Sequence, residues 1–351
     1  MNTIERIKTL SDMFGPSGFE DRVAAFVTEQ LKDYAPETDA MRNVRVEKEK
    51  NSEKPRVMLD AHMDEVGAIV QAVMPSGAMR FLPVGGWSMS SFPSSSFSIC
   101  TKNGDLVKAV VAAKPPHFMN ESERNRLPAI SDMILDCGTT SKEETEALGI
   151  GIGSPAVPDV ACQYDEARGL FYGKAFDDRI GVAAMIEILQ ELKDEDLPCN
   201  ILGSFSTQEE VGERGVRINS RNLRPDAAIC FEGCPADDTF QQGCMIQTAL
   251  KKGPMLRHID RSMITNWRFQ KFALETAHAN NIPVQEAVRS GGGTNGASIN
   301  MQEGVPAIVI GVPVRYIHSH HCWCSLEDYQ NAVKLGLALC RSLTPEIIAG
   351  L

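Results

Sequence analysis

The sequence predicts an α/β protein: a mostly parallel sheet with helices on both faces, interrupted by a smaller β-rich domain. Two observations carry this. Apolar runs rich in branched residues, at 56–61, 200–205, 226–231 and 307–312, alternate with stretches of helical apolar spacing, the clearest at 180–192. From Gly67 to about Gln163 the texture changes to short β-like runs broken by Gly, Pro and Ser. The frame is therefore expected at 1–66 and 167–351, with 67–166 as the insert. With 351 residues and 43% hydrophobic content, the chain can bury a full core.

Residues 4–13 have helical apolar spacing and stop at Gly15-Pro16-Ser17-Gly18. Ser17 or Gly18 is expected to start a second helix, with Val23, Ala24, Phe26, Val27 and Leu31 on one face. Residues 44–48 alternate as a half-exposed strand, and 56–61 form a buried strand that delivers His62 at its end. In the insert, GAIVQAVM, AMRFLPVG, SFSIC and LVKAVVAA read as strands and SSFPSSSFS as a structured loop. The frame then resumes with the helix 180–192, strands at 200–205 and 226–231, and a helix at 266–280. Strands at 284–288 and 307–312 and a closing helix at 326–343 complete it. Ligands of such sheets gather at the carboxyl ends of strands.

Composition narrows the function. A net charge of −11 and no basic stripe argue against nucleic acid or an anionic membrane as partner. No apolar run approaches the roughly 20 residues of a membrane span, and the amphipathic N-terminus lacks an apolar signal core, so a cytoplasmic protein is expected. Ten scattered cysteines without a CxxC pair read as reduced thiols.

The strand ends carry acids and imidazoles. His62 and Asp64 stand two apart in LDAHMDEVG, where Asp64 can fix the tautomer of a metal-bound His62; the segment reads equally as a polar turn. Asp177-Asp178 precedes a helix, where two acids also complement the dipole. Glu209-Glu210 follows an apolar strand in SFSTQEEVGERG, and adjacent carboxylates there can divide their work between metal and proton. Glu232 ends another strand, and one of His318, His320 and His321 suits a metal. Two histidines and three carboxylates would suit two divalent ions sharing one carboxylate. HExxH, a phosphate loop and a G-x-S-x-G elbow are absent, and Cys322 and Cys324 lack a second ligand pair. GGGTNG at 291–296 reads as a tight loop near the site.

The ordered set AHMDEVG, GKAFDDRIG, TQEEVGERG, FEG and PVRYIHS resembles the M42 family of cocatalytic metallo-aminopeptidases, over nearly the whole chain and including PSGFE and KPPH at 114–117. The resemblance implies a catalytic frame and an insert that helps assemble dimers into a hollow tetrahedral dodecamer. It implies two divalent ions per subunit, Zn²⁺ or Co²⁺, and hydrolysis of N-terminal residues from short peptides. By it, His62 is a ligand of one ion and Asp177 bridges both, with Gly181 marking Asp177 rather than Asp178 as the bridge and the peptide between them cis. Glu210 and His318 are ligands of the second ion, Glu232 completes the first, Glu209 is the general acid/base, and Asp64 orients His62. The chain departs from the family pattern at Glu232 and Asn295, where aspartate is usual, and in HSHHCWC, where a proline and a glutamate commonly follow His-Ser. Glu232 implies a shifted reach toward one ion, and Asn295 an altered substrate preference. Two rival functions fit the same residues: a metal-dependent deacylase of N-acylated amino acids, and a weakly active metalloprotein kept for assembly or peptide binding. A glycosidase would leave both histidines without a task.

Overall fold

The computed structural model describes residues 1–351. The frame is built on one 11-stranded sheet. Its central strands, in the order Asn200–Ser206, Arg56–His62, Ala227–Pro235 and Ala307–Arg315, run parallel. Antiparallel strands finish both sides: Val44–Glu47 and Glu37–Thr38 on one, Cys322–Ser325, Leu170–Gly173 and Gln163–Asp165 on the other. Met255–Ile259 and Gln285–Val288 branch from Ala307–Arg315.

The two-residue period of a strand explains why the central runs are almost wholly apolar. Val57, Leu59, Ile229, Phe231, Ile308 and Ile310 enter one core, while Met58, Leu202, Ala228, Cys230 and Val309 enter another. The first core is closed by the helices Thr3–Asp12, Asp21–Gln30, Phe176–Leu192, Trp267–Ala279 and Leu326–Ser342. The second is closed by Arg214–Leu223 and Asn295–Asn300. With both faces covered, the polar chemistry is left to the strand ends.

The chain leaves this sheet after His62 and rejoins it at Gln163. Between them, Gly67–Val73, Met79–Val84, Met133–Asp136, Leu106–Ala113, Ser96–Cys100 and Pro155–Pro158 close into a barrel. The barrel has its own core, which includes Val70, Phe81, Phe92, Phe97, Val111 and Leu135. No helix is long and apolar enough to cross a membrane.

Several features differ from expectation, among them the strand Met255–Ile259 and the helix Asn295–Asn300, which begins within the expected loop 291–296. The second helix starts at Asp21, not at Ser17 or Gly18, because the Ser17 hydroxyl donates to Asp64 instead of capping a helix. The strands at 163–165, 170–173 and 322–325 and the helix Arg214–Leu223 have no counterpart among the expected elements. The strands are too short to show a period, and the helix carries three arginines and two asparagines among few apolar residues.

Candidate metal centre

The carboxyl ends of the parallel strands converge on one cluster. His62 is the last residue of its strand and is buried. Its Nε2 lies 3.1 Å from Asp177 Oδ1 and 3.8 Å from Glu232 Oε2. His318 follows the strand Ala307–Arg315, and its Nε2 lies 3.1 Å from Asp177 Oδ2 and 3.3 Å from Glu210 Oε1. Asp177 thus turns one oxygen toward each of two groups: His62, Asp177 and Glu232, and Asp177, Glu210 and His318. Within each group the ligand atoms lie within 4.8 Å of one another.

Asp178 faces away from both groups, across a cis bond to Asp177. Its oxygens accept the backbone N–H of His62 (3.1 Å) and of Gly181 (3.0 Å). A Cβ at position 181 would stand 2.3 Å from Asp178 Oδ1, so only glycine fits there. Asp178 therefore ties the helix start to the end of the His62 strand.

Glu209 and Glu210 sit on a turn held by side chains from three other segments. The N–H of Thr207 donates to Asn43 Oδ1 (2.9 Å), that of Gln208 to Glu20 Oε1 (3.0 Å), and those of Glu209 and Glu210 to the two oxygens of Asp64 (3.0 and 3.2 Å). The turn needs this support, since Gln208 and Glu213 adopt left-handed backbone at φ 57° and 53°. Asp64 also accepts from Ser17 Oγ (2.6 Å), and its Oδ1 lies 3.3 Å from His62 Nδ1. Asp64 thus meets the imidazole through its backbone carbonyl, 3.2 Å from His62 Nδ1, with its carboxylate close by, and braces the glutamate pair through the carboxylate. Below it, buried Arg179 donates to the carbonyls of Leu10, Met63 and Gly15, and Lys174 pairs with Glu65 at 2.6 Å.

The sequence alone assigns Ser17, Glu20 and Asn43 no part in the site, although the first two lie in the PSGFE motif. Burial, then the charge of Asp64, push Glu20 from 4.5 up to about 7. An acid raised in this way weakens the fold as pH rises past its unfolded value, and the full cost is present above its folded value. Glu20→Gln keeps Oε1 as acceptor for both N–H groups. It should be more stable than the parent above pH 7, with the difference closing as pH falls to 4.5, which thermal melts across that range would show.

Electrostatics favour positive charge at the centre. Burial raises Glu209 well above the usual carboxylate range, with His62 opposing and Glu232 and Glu210 reinforcing the shift. Burial, then Asp178, raises Glu232. Burial also raises Glu210, against the pull of His318. For Asp177 burial is outweighed by contact with His318 and His62, and the carboxyl is held low. Burial would lower both imidazoles, yet Asp177 and Asp64 raise His62, and Glu210 and Asp177 bring His318 up to about 11. Glu210 Oε1 is buried without a hydrogen-bond partner; its 3.3 Å approach to His318 lies outside hydrogen-bond geometry. An orphaned carboxylate oxygen beside imidazole nitrogens and a doubly shared aspartate fits a divalent ion with N and O ligands.

The cluster lines a cavity of about 490 Å³. Residues 291–294 form part of its wall, as the glycine-rich loop suggests, together with Glu213, Arg257 and Arg289. Asn295 does not line it. Its Nδ2 donates to Asp60 Oδ2 and Ser206 Oγ, both at 2.7 Å, on the far side of the sheet end. An aspartate there would face the Asp60 carboxylate, so the departure at 295 matches the acid at 60 and is not a change in the cavity wall. Cys322 and Cys324 are buried free thiols in a strand and belong to neither ligand group.

Residues 42–335 match the family model described as M42 glutamyl aminopeptidase. The glutamyl aminopeptidase of Lactococcus lactis subsp. cremoris is 31% identical over 99% of both chains. A TET aminopeptidase from a marine-sediment Thaumarchaeota archaeon superposes with a TM-score of 0.95, at 36% identity and 99% coverage of both chains. The TET1 peptidase of Pyrococcus horikoshii, described as assembling into a tetrahedron or a large octahedral shell, superposes with a TM-score of 0.88 at 28% identity, over 97% of this chain and 100% of that one. With its motifs in order and the match spanning most of its length, the chain belongs to the M42 family of aminopeptidases.

Proposed function

We propose that this protein is a two-ion metallo-aminopeptidase that removes N-terminal residues, acidic ones preferentially, from short peptides. The observation that carries the reading is Asp177, whose two oxygens serve two His-carboxylate groups with Glu209 alongside. His62, Asp177 and Glu232 would hold one ion, and Asp177, Glu210 and His318 the other; Zn²⁺ and Co²⁺ suit such donors. Bound there, the pair would polarise the scissile carbonyl and lower the pKa of the attacking water.

Glu209 belongs to neither ligand group, and its Oε2 lies 3.9 Å from His62 Nε2. A carboxylate beside both groups but a member of neither suits a group that takes a proton from water and delivers it to the leaving amine. Asp64 keeps Glu209 in place through the backbone N–H. The cavity wall supplies selectivity. Arg257 and Arg289 each use Nη1 on an aspartate, Asp260 (3.0 Å) and Asp237 (2.8 Å), while both Nε atoms are buried without an acceptor. Both guanidinium groups line the cavity, where their charge would attract a substrate carboxylate.

The exposed apolar residues Phe118, Leu127 and Ile152 of the inserted segment support its use as a homo-oligomer contact in an assembly like that described for the TET1 relative. Ten free cysteines suit a reducing, cytoplasmic setting.

A panel of glutamyl-, lysyl- and leucyl-p-nitroanilides, free and N-acetylated, with Co²⁺, Zn²⁺ or chelator, tests the reading. The glutamyl compound with a free amine should be cleaved fastest, and chelator should abolish turnover. Activity confined to the N-acetylated set would favour the deacylase instead. Arg257→Met should lower kcat/KM for the glutamyl substrate by about 10–100-fold, the loss of a charged hydrogen bond, and leave the leucyl substrate within about 3-fold.

A further inference from the structure

We propose that His320 is a positioning residue for His318, locking it against the barrel, so that the ion site of Glu210 and His318 depends on the barrel while the site of His62 and Glu232 does not. This rests on the two-ion reading above.

The two imidazoles are held in different ways. A metal-binding histidine is normally oriented by an acceptor at its second nitrogen. His62 has one in Asp64, at its Nδ1. The Nδ1 of His318 has no hydrogen-bond partner; it faces the backbone of Gly86, where an added Cβ would stand 3.2 Å away. Gly86 belongs to the turn after the barrel strand Met79–Val84. Its neighbour Gly85 approaches the other ligand of that site, since a Cβ there would lie 3.3 Å from Glu210 Cβ. Packing against the barrel therefore replaces the missing acceptor.

The packing must be enforced from the His318 side. Tyr316 and His318 both adopt left-handed backbone, at φ 63° and 56°, which persists only where the surroundings over-determine it. The Ser319 hydroxyl closes the turn on the Tyr316 carbonyl (2.5 Å), and its other hydrogen bonds are to His321, within the same loop. His320 supplies the contact with the barrel. It is 5% exposed, and its ring lies 5.4 Å from Trp87 and 5.1 Å, edge-on, from Phe97. Trp87 in turn packs 4.6 Å from Phe92 and donates its indole N–H to the Gly67 carbonyl (3.0 Å). Phe92 and Phe97 are core residues of the barrel. The ring of His320 thus sits among barrel aromatics while its backbone continues the loop that carries His318. Its Nε2 is buried without a partner, so the ring acts there as a shape and not as a hydrogen-bonding group.

The test is calorimetric titration of the metal-stripped, full-length protein with Co²⁺, with no turnover assay. Wild type should bind two ions, and His318→Ala identifies the step that belongs to the second site. His320→Ala should weaken that same step by about 10–100-fold, as loss of an outer partner does, and leave the other within about 2-fold. His320→Phe, which restores a ring, should bring the weakened step back to within a few-fold. Gly86→Ala, whose Cβ would stand 3.2 Å from His318 Nδ1, should reproduce the single-step loss. Wild-type binding by both His320→Ala and Gly86→Ala overturns the inference and spares the two-ion reading. Equal weakening of both steps in His320→Ala, unrescued by phenylalanine, also overturns it. A wild-type protein that binds a single ion overturns both.

Discussion

Glu209→Gln should bind metal as the parent does and hydrolyse aminoacyl substrates about 10²–10⁴-fold more slowly, the range of a lost general acid/base. The substitution keeps length, volume and one acceptor oxygen. It removes only the capacity to accept a proton from water and return it. Metal binding should survive because Glu209 stands outside both ligand groups. The fold should survive because the turn is held through backbone N–H groups donating to Glu20 and Asp64, not through the Glu209 side chain. Ion stoichiometry measured beside steady-state kinetics checks both halves. Turnover at the parent rate would remove Glu209 from the chemistry.

The second large effect falls on Asp177. Each of its oxygens is assigned to a different ion, so Asp177→Asn takes charge from both sites at once. Affinity at both should fall by more than about 100-fold, beyond what loss of an outer partner costs, and activity should fall with it. The side chain makes hydrogen bonds only to His62 and His318, while the helix start is tied down by Asp178. Circular dichroism of the variant should therefore match the parent while inductively coupled plasma analysis finds it nearly metal-free. A variant that kept one ion tightly would mean that Asp177 serves one site only.

The ligand-bearing residues are legible in the sequence because apolar, branched runs announce buried parallel strands, and a residue just past such a run lies at the carboxyl edge of the sheet. His62, Glu209, Glu210 and His318 end a strand or come after one, whereas Glu232, expected at a strand end, lies inside Ala227–Pro235, which continues past it alongside Ala307–Arg315. Asp177 needs more than periodicity, since two adjacent acids before a helix read more readily as dipole complements; in the structure Asp178 bonds to the His62 and Gly181 backbone while Asp177 meets both imidazoles. The braces are not legible. Glu20 meets Gln208 across 188 residues and Asn295 meets Asp60 across 235, and neither pair leaves a local pattern. Asn295 shows the consequence: in the sequence it suggests a change in substrate preference, while its hydrogen bond to the buried Asp60 carboxylate is visible only in the structure. Arg257 and Arg289 are equally hidden, because one lies on a short branch strand and the other just past one, and nothing in either segment marks the cavity they line.

An anomalous difference map from crystals of the Co²⁺-loaded protein tests the central claim most directly. Two peaks roughly 3.5–4 Å apart are expected, one between His62, Asp177 and Glu232 and the other between Asp177, Glu210 and His318, with Asp177 touching both. A single peak, or a pair from which Asp177 is excluded, would contradict the two-ion account.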